Sequence, residues 1–223
     1  MNQDGDGFLA GNSLRADPSH YSKEIKFSDH KIKFMTRFCL GKDVLDLGCV
    51  MHDPRNYKSQ YWLHRAIVQK SKSVIGIDLY SDGVDYLKKQ GFNIEVGNVE
   101  SLNLNKKFDT IIAGDIIEHL NNFEGFFLSC KKHLRKDGVV VISTPNPWHW
   151  RYLIRSIFGG EIDIVNPEHT TWFCPKTLRQ LASRFSFEVI EIEYGSRFNR
   201  ELFMPLPKGL KHQSFFTALR LKK

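Results

Sequence analysis

DVLDLGC, residues 43–49, is the stretch of sequence that decides the fold. It reads as a short apolar strand that ends on a carboxylate, Asp46, followed by a glycine, Gly48. A second apolar strand, VIGIDL at 74–79, also ends on a carboxylate, Asp78. Parallel sheets bind ligands at the carboxyl ends of their strands, where glycine permits close approach and an acidic side chain accepts hydrogen bonds from ribose hydroxyls. The pair therefore predicts a site for a nucleoside-containing cofactor.

The length and composition favour one α/β domain. The 223 residues are 41% hydrophobic, which supplies enough apolar surface for a full core. No apolar run approaches the ~20 residues that span a bilayer, and residues 1–20 lack the order of a signal peptide. The cysteines have no paired spacing that would indicate disulfides or zinc. We therefore expect a cytoplasmic protein without a transmembrane segment.

Alternating strands and helices indicate the architecture. The strand candidates lie at 43–47, 74–78, 93–96, 109–113 and 139–143. Helical patterns with one apolar face separate them, which predicts right-handed βαβ units and a parallel sheet covered on both faces. Asp137-Gly138 predicts a turn into the last parallel strand.

The flanking segments suggest a helix before the sheet and a lid after it. We predict an amphipathic helix over 22–40, frayed residues over 1–20, and a lid formed by the aromatic and basic residues 148–173. A helix begins at Pro175, followed by two late strands at 187–193 and 215–221 with a long polar loop between them. Two strands joined without a crossover helix are antiparallel, so we expect a reversed strand at one edge of the sheet.

Several further motifs occur in a fixed order. They are VLDLGC (44–49), GID (76–78), GNVE (97–100), DTIIAGDIIEHL (109–120), LRKDG (134–138) and STPN (143–146). With these motifs in this order, the chain resembles a class I S-adenosylmethionine-dependent methyltransferase over residues 40–223. It is most similar to the branch that includes the ubiquinone-biosynthesis O-methyltransferases and methyltransferases of surface-sugar pathways. The resemblance implies a Rossmann-like seven-stranded, mostly parallel sheet with an antiparallel final strand. We accordingly divide the chain into an N-terminal extension with its helix, 1–40, and a methyltransferase domain, 41–223.

The glycine pattern favours S-adenosylmethionine over a dinucleotide. A dinucleotide site needs three glycines in G-x-G-x-x-G after the first strand to seat a pyrophosphate. At that place this chain has only Gly48, followed by CVMH. We expect Asp46 and Gly48 to border the methionine portion, Asp78 to take the ribose hydroxyls, and Asn98 with Val99 to frame the adenine. Asp46 also fits a turn or capping carboxylate. The full set assigned to the cofactor is Asp46, Gly48, Cys49, Asp78, Leu79, Asn98, Val99 and Asp115.

A second group of polar residues, Asp115, Glu118 and His119, admits three interpretations. If a helix begins near Asp115, all three lie on one face. Asp115 and Glu118 would then form a capping-box-like pair, or His119 would act as a general base, or all three would hold a divalent metal. The resemblance implies that this segment borders the methyl-transfer site, as does His169 in the lid. We predict His119 and His169 as the catalytic candidates.

The sequence thus predicts a methyltransferase that acts on a hydroxyl of a small metabolite, such as a sugar or nucleotide-linked sugar. The alternatives are an N- or RNA methyltransferase, or a binding domain without turnover, since the usual further glycines after Gly48 are missing. The net charge of +7 admits an acidic partner, but the absence of a basic-aromatic signature argues against nucleic acid. We expect a monomer or a homodimer.

Overall fold

A computed structural model of the chain describes residues 30–158, 168–196 and 204–223. Its centre is one seven-stranded sheet in the order β3-β2-β1-β4-β5-β7-β6. The strands are β1 Asp43–Leu47, β2 Ser73–Asp78, β3 Ile94–Val96, β4 Phe108–Gly114, β5 Leu134–Pro145, β6 Phe187–Gly195 and β7 Ser214–Leu221. The first five strands pair in parallel, which confirms the Rossmann-like α/β fold.

Helices cover both faces of the sheet. They are α1 His30–Arg37, α2 Leu63–Lys70, α3 Ser81–Lys89, α4 Phe123–His133, α5 Trp150–Ile157, α6 Pro175–Arg184 and α7 Lys208–Lys211, with 3-10 turns at Pro54–Lys58 and Ile117–His119. Alternate strand residues enter opposite cores, because successive side chains of a strand point to opposite faces. Leu45 packs with the side chains of α4 and α6, whereas Val44 packs with those of α1 and α2. None of the described helices combines the length and apolar character needed to span a bilayer.

The reversed strand lies inside the sheet, where we had expected it at the edge. β7 runs antiparallel to both β5 and β6, and β6 forms the edge. The burial pattern explains this order. β7 buries five consecutive residues, Phe215 to Leu219, whereas β6 buries only its two end residues, Phe187 and Gly195, and carries three glutamates between them. The more apolar strand takes the interior position because both of its faces are covered there.

Several predicted boundaries move. β5 begins at Leu134, directly after α4 ends at His133, and so starts five residues before the strand predicted at 139–143. The pairing of β5 with β4 jumps from Leu134 to Val139, so Asp137-Gly138 lies in an outward excursion of the strand. The predicted helix 22–40 is described only from His30 to Arg37, and its residues Phe34 and Met35 pack onto the sheet.

Parts of three predictions lie outside the described residues. They are the frayed segment 1–20, residues 159–167 of the lid and residues 197–203 of the late loop. The described remainder of the late loop contains the short helix α7, Lys208–Lys211. The division of the chain at residue 40 stays a prediction.

Candidate active site

The carboxyl ends of β1, β2 and β4 form the edge where the sequence predicts the cofactor. The strand order reverses between β1 and β4, which is the position where open α/β sheets bind ligands. Gly48 has φ +70°, and its amide donates to the carbonyl of Ile77 at 2.8 Å. A Cβ atom at Gly48 would lie 2.8 Å from Ile116 Cδ1. Glycine is therefore required here both by the left-handed backbone and by the close approach of the segment after β4.

Asp78 organises the loop that follows Gly48. Its half-buried carboxylate accepts hydrogen bonds from the amides of Val50 at 2.8 Å and Tyr80 at 3.0 Å. The neighbouring Leu79 is 66% exposed. A carboxylate has about four acceptor sites, so two amide bonds leave capacity for ribose hydroxyls. The predicted ribose contact thus retains a suitable acceptor, and it stays a prediction.

Asp46 lies below the cleft rather than along it. Its carboxylate is 2% exposed and bonds His64 Nδ1 at 2.8 Å. Burial raises the pKa of Asp46, and the hydrogen bond and charge of His64 counteract this. The pairing of Asp46 with His64 was not predicted from the sequence. In a βαβ unit, the end of a strand lies beside the first turn of the following helix. The positions of Asp46 at the end of β1 and His64 at the start of α2 could therefore have indicated this contact.

Cys49 and Val99 have side chains that face the protein interior. Burial raises the pKa of the Cys49 thiol well above its ordinary value, and its carbonyl accepts a bond from Trp62 Nε1 at 2.7 Å. Val99 is 3% exposed and belongs to the main core. Asn98, by contrast, is exposed, and its side-chain oxygen accepts from the amide of Glu100 at 2.9 Å. Of these three residues, Asn98 offers its side chain at the surface.

Asp115 does not begin a helix, so the predicted capping box is wrong. Its φ is +52°, and the short helical turn covers only Ile117–His119. The Ser143 hydroxyl donates to its carboxylate at 2.6 Å, and the carboxylate forms an ion pair with Lys31. Desolvation by neighbouring atoms would raise the pKa of Asp115, although its side chain is 42% exposed, but Lys31 and Ser143 outweigh this and lower it. Aspartate is one of the few non-glycine residues that adopt positive φ readily, and here its bonds to Lys31 and Ser143 accompany that conformation.

Glu118 is the most unusual group at this edge. Its side chain is 1% exposed; Oε2 accepts from the Thr144 hydroxyl at 2.9 Å, whereas Oε1 has no hydrogen-bond partner among the described residues. Burial, and next the charge of Asp115, raise its pKa to about 8. Its backbone carbonyl accepts the amides of Thr170 at 2.9 Å and Thr171 at 3.2 Å. These bonds attach the second part of the predicted lid to the turn after β4.

The two predicted catalytic histidines meet at this turn. The rings of His119 and His169 pack edge to face with centroids 4.7 Å apart. One ligand atom from each of Glu118, His119 and His169 lies within 4.8 Å of the others. Burial and the neighbouring His119 lower the pKa of His169. The predicted metal set of Asp115, Glu118 and His119 is thereby changed, because His169 takes the place of Asp115, whose carboxylate binds Lys31 and Ser143.

Aromatic side chains flank this cluster. Tyr152 of α5 packs edge to face on Trp172 with ring centroids 5.4 Å apart, and His149 lies 5.8 Å from Tyr152 by the same measure. α5 buries none of its residues completely. The described parts of the predicted lid are therefore joined by aromatic contacts.

Comparisons with known proteins agree with this geometry. Residues 21–192 match the family described as "Methyltransferase domain". The chain is 29% identical over 147 residues to the ubiquinone biosynthesis O-methyltransferase of Pelagibacter ubique, covering 63% of this chain and 57% of that protein. It is 27% identical over 181 residues to a probable S-adenosylmethionine-dependent methyltransferase of Mycolicibacterium smegmatis, covering 78% and 64%. The chain thus spans less than two thirds of the length of these relatives.

A solved structure shares the fold. The S-adenosylmethionine-dependent methyltransferase of Mesorhizobium loti superposes with a TM-score of 0.61 at 15% identity, covering 85% of this chain and 95% of that one. The sequence match includes β1 to β5 and the crevice beside Gly48. The chain belongs to the methyltransferase domain family, in the class I S-adenosylmethionine-dependent branch that resembles the ubiquinone O-methyltransferases.

Proposed function

We propose that this chain transfers the methyl group of S-adenosylmethionine to a hydroxyl of a small metabolite. The single observation that carries the proposal is the cluster of Glu118, His119 and His169 beside the crevice at the end of β4. The relative in Pelagibacter ubique is named an O-methyltransferase, which supports oxygen as the acceptor atom. A sugar or nucleotide-linked sugar is our leading acceptor class, because the exposed Arg151 and Arg155 of α5 suit a phosphate-bearing molecule.

The donor supplies an electrophilic methyl carbon, and the protein supplies position and a proton acceptor. We assign Gly48 to the close approach, Asp78 to the ribose and Asn98 to the adenine. When bound, the donor would supply a methyl carbon that the acceptor oxygen can displace from sulfur, with the carbon–sulfur electron pair left on sulfur. His169 takes the hydroxyl proton, because its lowered pKa keeps the imidazole neutral near pH 7. Holding the two reactants at attack distance accounts for most of the rate.

The same three side chains fit a divalent cation. Oε1 of Glu118 is a buried acceptor that has no partner in the described parts of the chain, and the two imidazoles add nitrogen ligands. Such an ion would lower the pKa of a coordinated hydroxyl. This second candidate role is favoured by the unpartnered oxygen, because a buried acceptor without a partner costs about 1–3 kcal/mol.

Labelled donor with fractionated cell extract, then with a panel of sugars and sugar nucleotides, tests the acceptor. His169→Asn should lower kcat by roughly 10²–10⁴ without changing donor affinity. The matched control is the exposed His52→Asn, for which we expect unchanged turnover. Loss of activity in chelator with recovery on added Mg²⁺ or Zn²⁺ identifies the metal role. Donor binding without transfer to any fraction contradicts the proposal and favours a silent binding domain.

A further inference from the structure

Opposite the candidate active site, the edge formed by the starting ends of the parallel strands carries a row of cations. Parallel strands begin at this edge, and each of the seven strands has at least one lysine or arginine beside its end there. We call this row the basic rim. All its members are exposed: Lys42, Lys72, Lys88, Lys89, Lys106, Lys107, Arg135, Lys136, Arg184, Lys222 and Lys223.

Few carboxylates neutralise the basic rim. Arg135 bonds Asp43 at 2.9 Å and Asp109 at 2.7 Å, so these two acids are already occupied. In the described parts of the chain, no ion pair engages another member of the rim. Lys222 contacts a neutral partner, the hydroxyl of Ser183 at 2.8 Å. The rim therefore retains a strong positive potential.

Helix stabilisation explains only part of this pattern. Cations at helix C-termini favour the macrodipole, and Lys88, Lys89 and Arg184 occupy such last turns. Lys42, Lys107 and the other rim members lie in loops or at strand ends, where no helix dipole needs them. Their placement points to an external anion.

The shape of the rim favours a flexible chain over a flat surface. Strands lie about 4.8 Å apart, so the edge from β3 to β6 extends over roughly 29 Å. Each neighbouring pair is rotated by about 20–25°, so the edge turns by roughly 130° along its length. A flat bilayer meets only part of such an edge at once, whereas a flexible polyanion can follow all of it.

The rim also offers a recess and little apolar surface. A cleft of about 550 Å³ lies at its centre, lined by the rim cations Lys42, Arg135 and Lys136, by Asp109 and Asp137, and by the apolar side chains of Phe38, Leu40 and Val139. Arg37 also lines it but is paired with Glu191 and Glu193. Of the apolar residues, Leu40 is 73% exposed and projects from the cleft. Membrane-binding helices need a broad apolar face, and base recognition needs stacking aromatics. The surface is suited instead to phosphates alone.

We propose that the basic rim binds the sugar-phosphate backbone of single-stranded nucleic acid without reading its bases. The sequence argued against nucleic acid because it lacks a basic-aromatic motif, but contact through phosphates alone requires no such motif. The rim lies on the far side of the sheet from Gly48 and Asp115. Binding there leaves the methyl-transfer site open.

Fluorescence anisotropy with a labelled oligouridylate of about 20 nucleotides tests this on the full chain. If about six phosphates are engaged, the slope of log K against log salt is about −4, and affinity falls roughly 250-fold between 50 and 200 mM salt. The triple variant K42Q/K107Q/K136Q should reduce the slope by about 2. The control triple K33Q/K176Q/K208Q removes the same charge away from the rim and should leave the slope unchanged.

Three results would overturn the proposal. The first is no binding of the oligonucleotide at 50 mM salt. The second is an equal loss in the rim and control triples, which would make net charge the cause. The third is rim-dependent binding to phosphatidylcholine vesicles with about one quarter phosphatidylserine and none to the oligonucleotide, which would assign the rim to an anionic membrane surface.

Discussion

Replacing Glu118 with glutamine should make the protein more stable at neutral pH. The folded state raises the pKa of Glu118 from 4.5 to about 8, so the folded chain holds a proton that the unfolded chain releases. Stability from this group is therefore complete below pH 4.5 and is lost as the pH rises towards 8. Each pH unit in that interval costs about 1.4 kcal/mol. Glutamine does not titrate, and its carbonyl oxygen can still accept the Thr144 hydroxyl.

The expected difference follows from these values. Between pH 4.5 and pH 7 the wild type loses about 3 kcal/mol that Glu118→Gln keeps. For a domain of this size, 1 kcal/mol moves Tm by about 2–4 °C, so the variant should melt roughly 6–12 °C higher at pH 7. At pH 5 the two proteins should differ by about 1 kcal/mol or less.

Urea unfolding followed by circular dichroism from pH 5 to pH 8, with chelator present, measures this difference. Titrating groups away from this turn contribute equally to both proteins, so the difference between the curves reports Glu118 together with the neighbours whose titration it influences. Glu124→Gln, at an exposed glutamate in the first turn of α4, is the matched control. Parallel curves for wild type and Glu118→Gln would refute the reasoning, because they would mean that Glu118 is ionised in the folded protein at neutral pH.

Three further substitutions, with one control, probe the cofactor edge. Gly48→Ala and Gly41→Ala both place alanine at positive φ and should each cost about 1–2 kcal/mol, but only Gly48→Ala should also weaken donor binding, because a Cβ at Gly41 meets nothing within 4 Å. Asp78→Ala should lower donor affinity in calorimetry at least tenfold by removing a charge-assisted acceptor, and unchanged affinity would remove the ribose assignment. Asp46→Ala leaves the buried Nδ1 of His64 without its partner and should cost about 1–3 kcal/mol in urea unfolding, whereas unchanged stability would show the pair to be unimportant.

The sequence predicted the sheet and its binding edge because both depend on local patterns. The apolar strands and the residues at their ends, Gly48 and Asp78, are readable from five to seven consecutive residues. The position of β7 was predicted one place wrong, because strand order inside a sheet depends on which strand can be covered on both faces. That comparison of β7 with β6 concerns burial in the folded state, which a strand pattern alone does not contain.

The candidate site was predicted residue by residue but not as a group. His119 and His169 were both identified, yet their ring contact joins segments 50 positions apart in the sequence, and no periodicity reports it. The helix expected at Asp115 failed for a similar reason. Ser143 and Lys31 bind its carboxylate from another strand and another helix, and these long-range bonds hold the backbone at φ +52°.

The bonds around Glu118 show why this residue carries the functional argument. Thr170 and Thr171 hold its backbone from one side, and Thr144 holds one carboxyl oxygen from the other, so the side chain has no freedom to reach solvent. A fold selected for stability alone would place an apolar residue here, since a buried carboxyl with one unpartnered oxygen costs about 1–3 kcal/mol. Lys31 forms an ion pair with Asp115, and its charge also acts on Glu118, whose pKa nevertheless stays raised. The hydroxyl proton of the methyl acceptor, or a cation at His119 and His169, would bind the Glu118 oxygen that has no partner among the described residues. The cost of burying Glu118 is therefore consistent with chemistry at this turn.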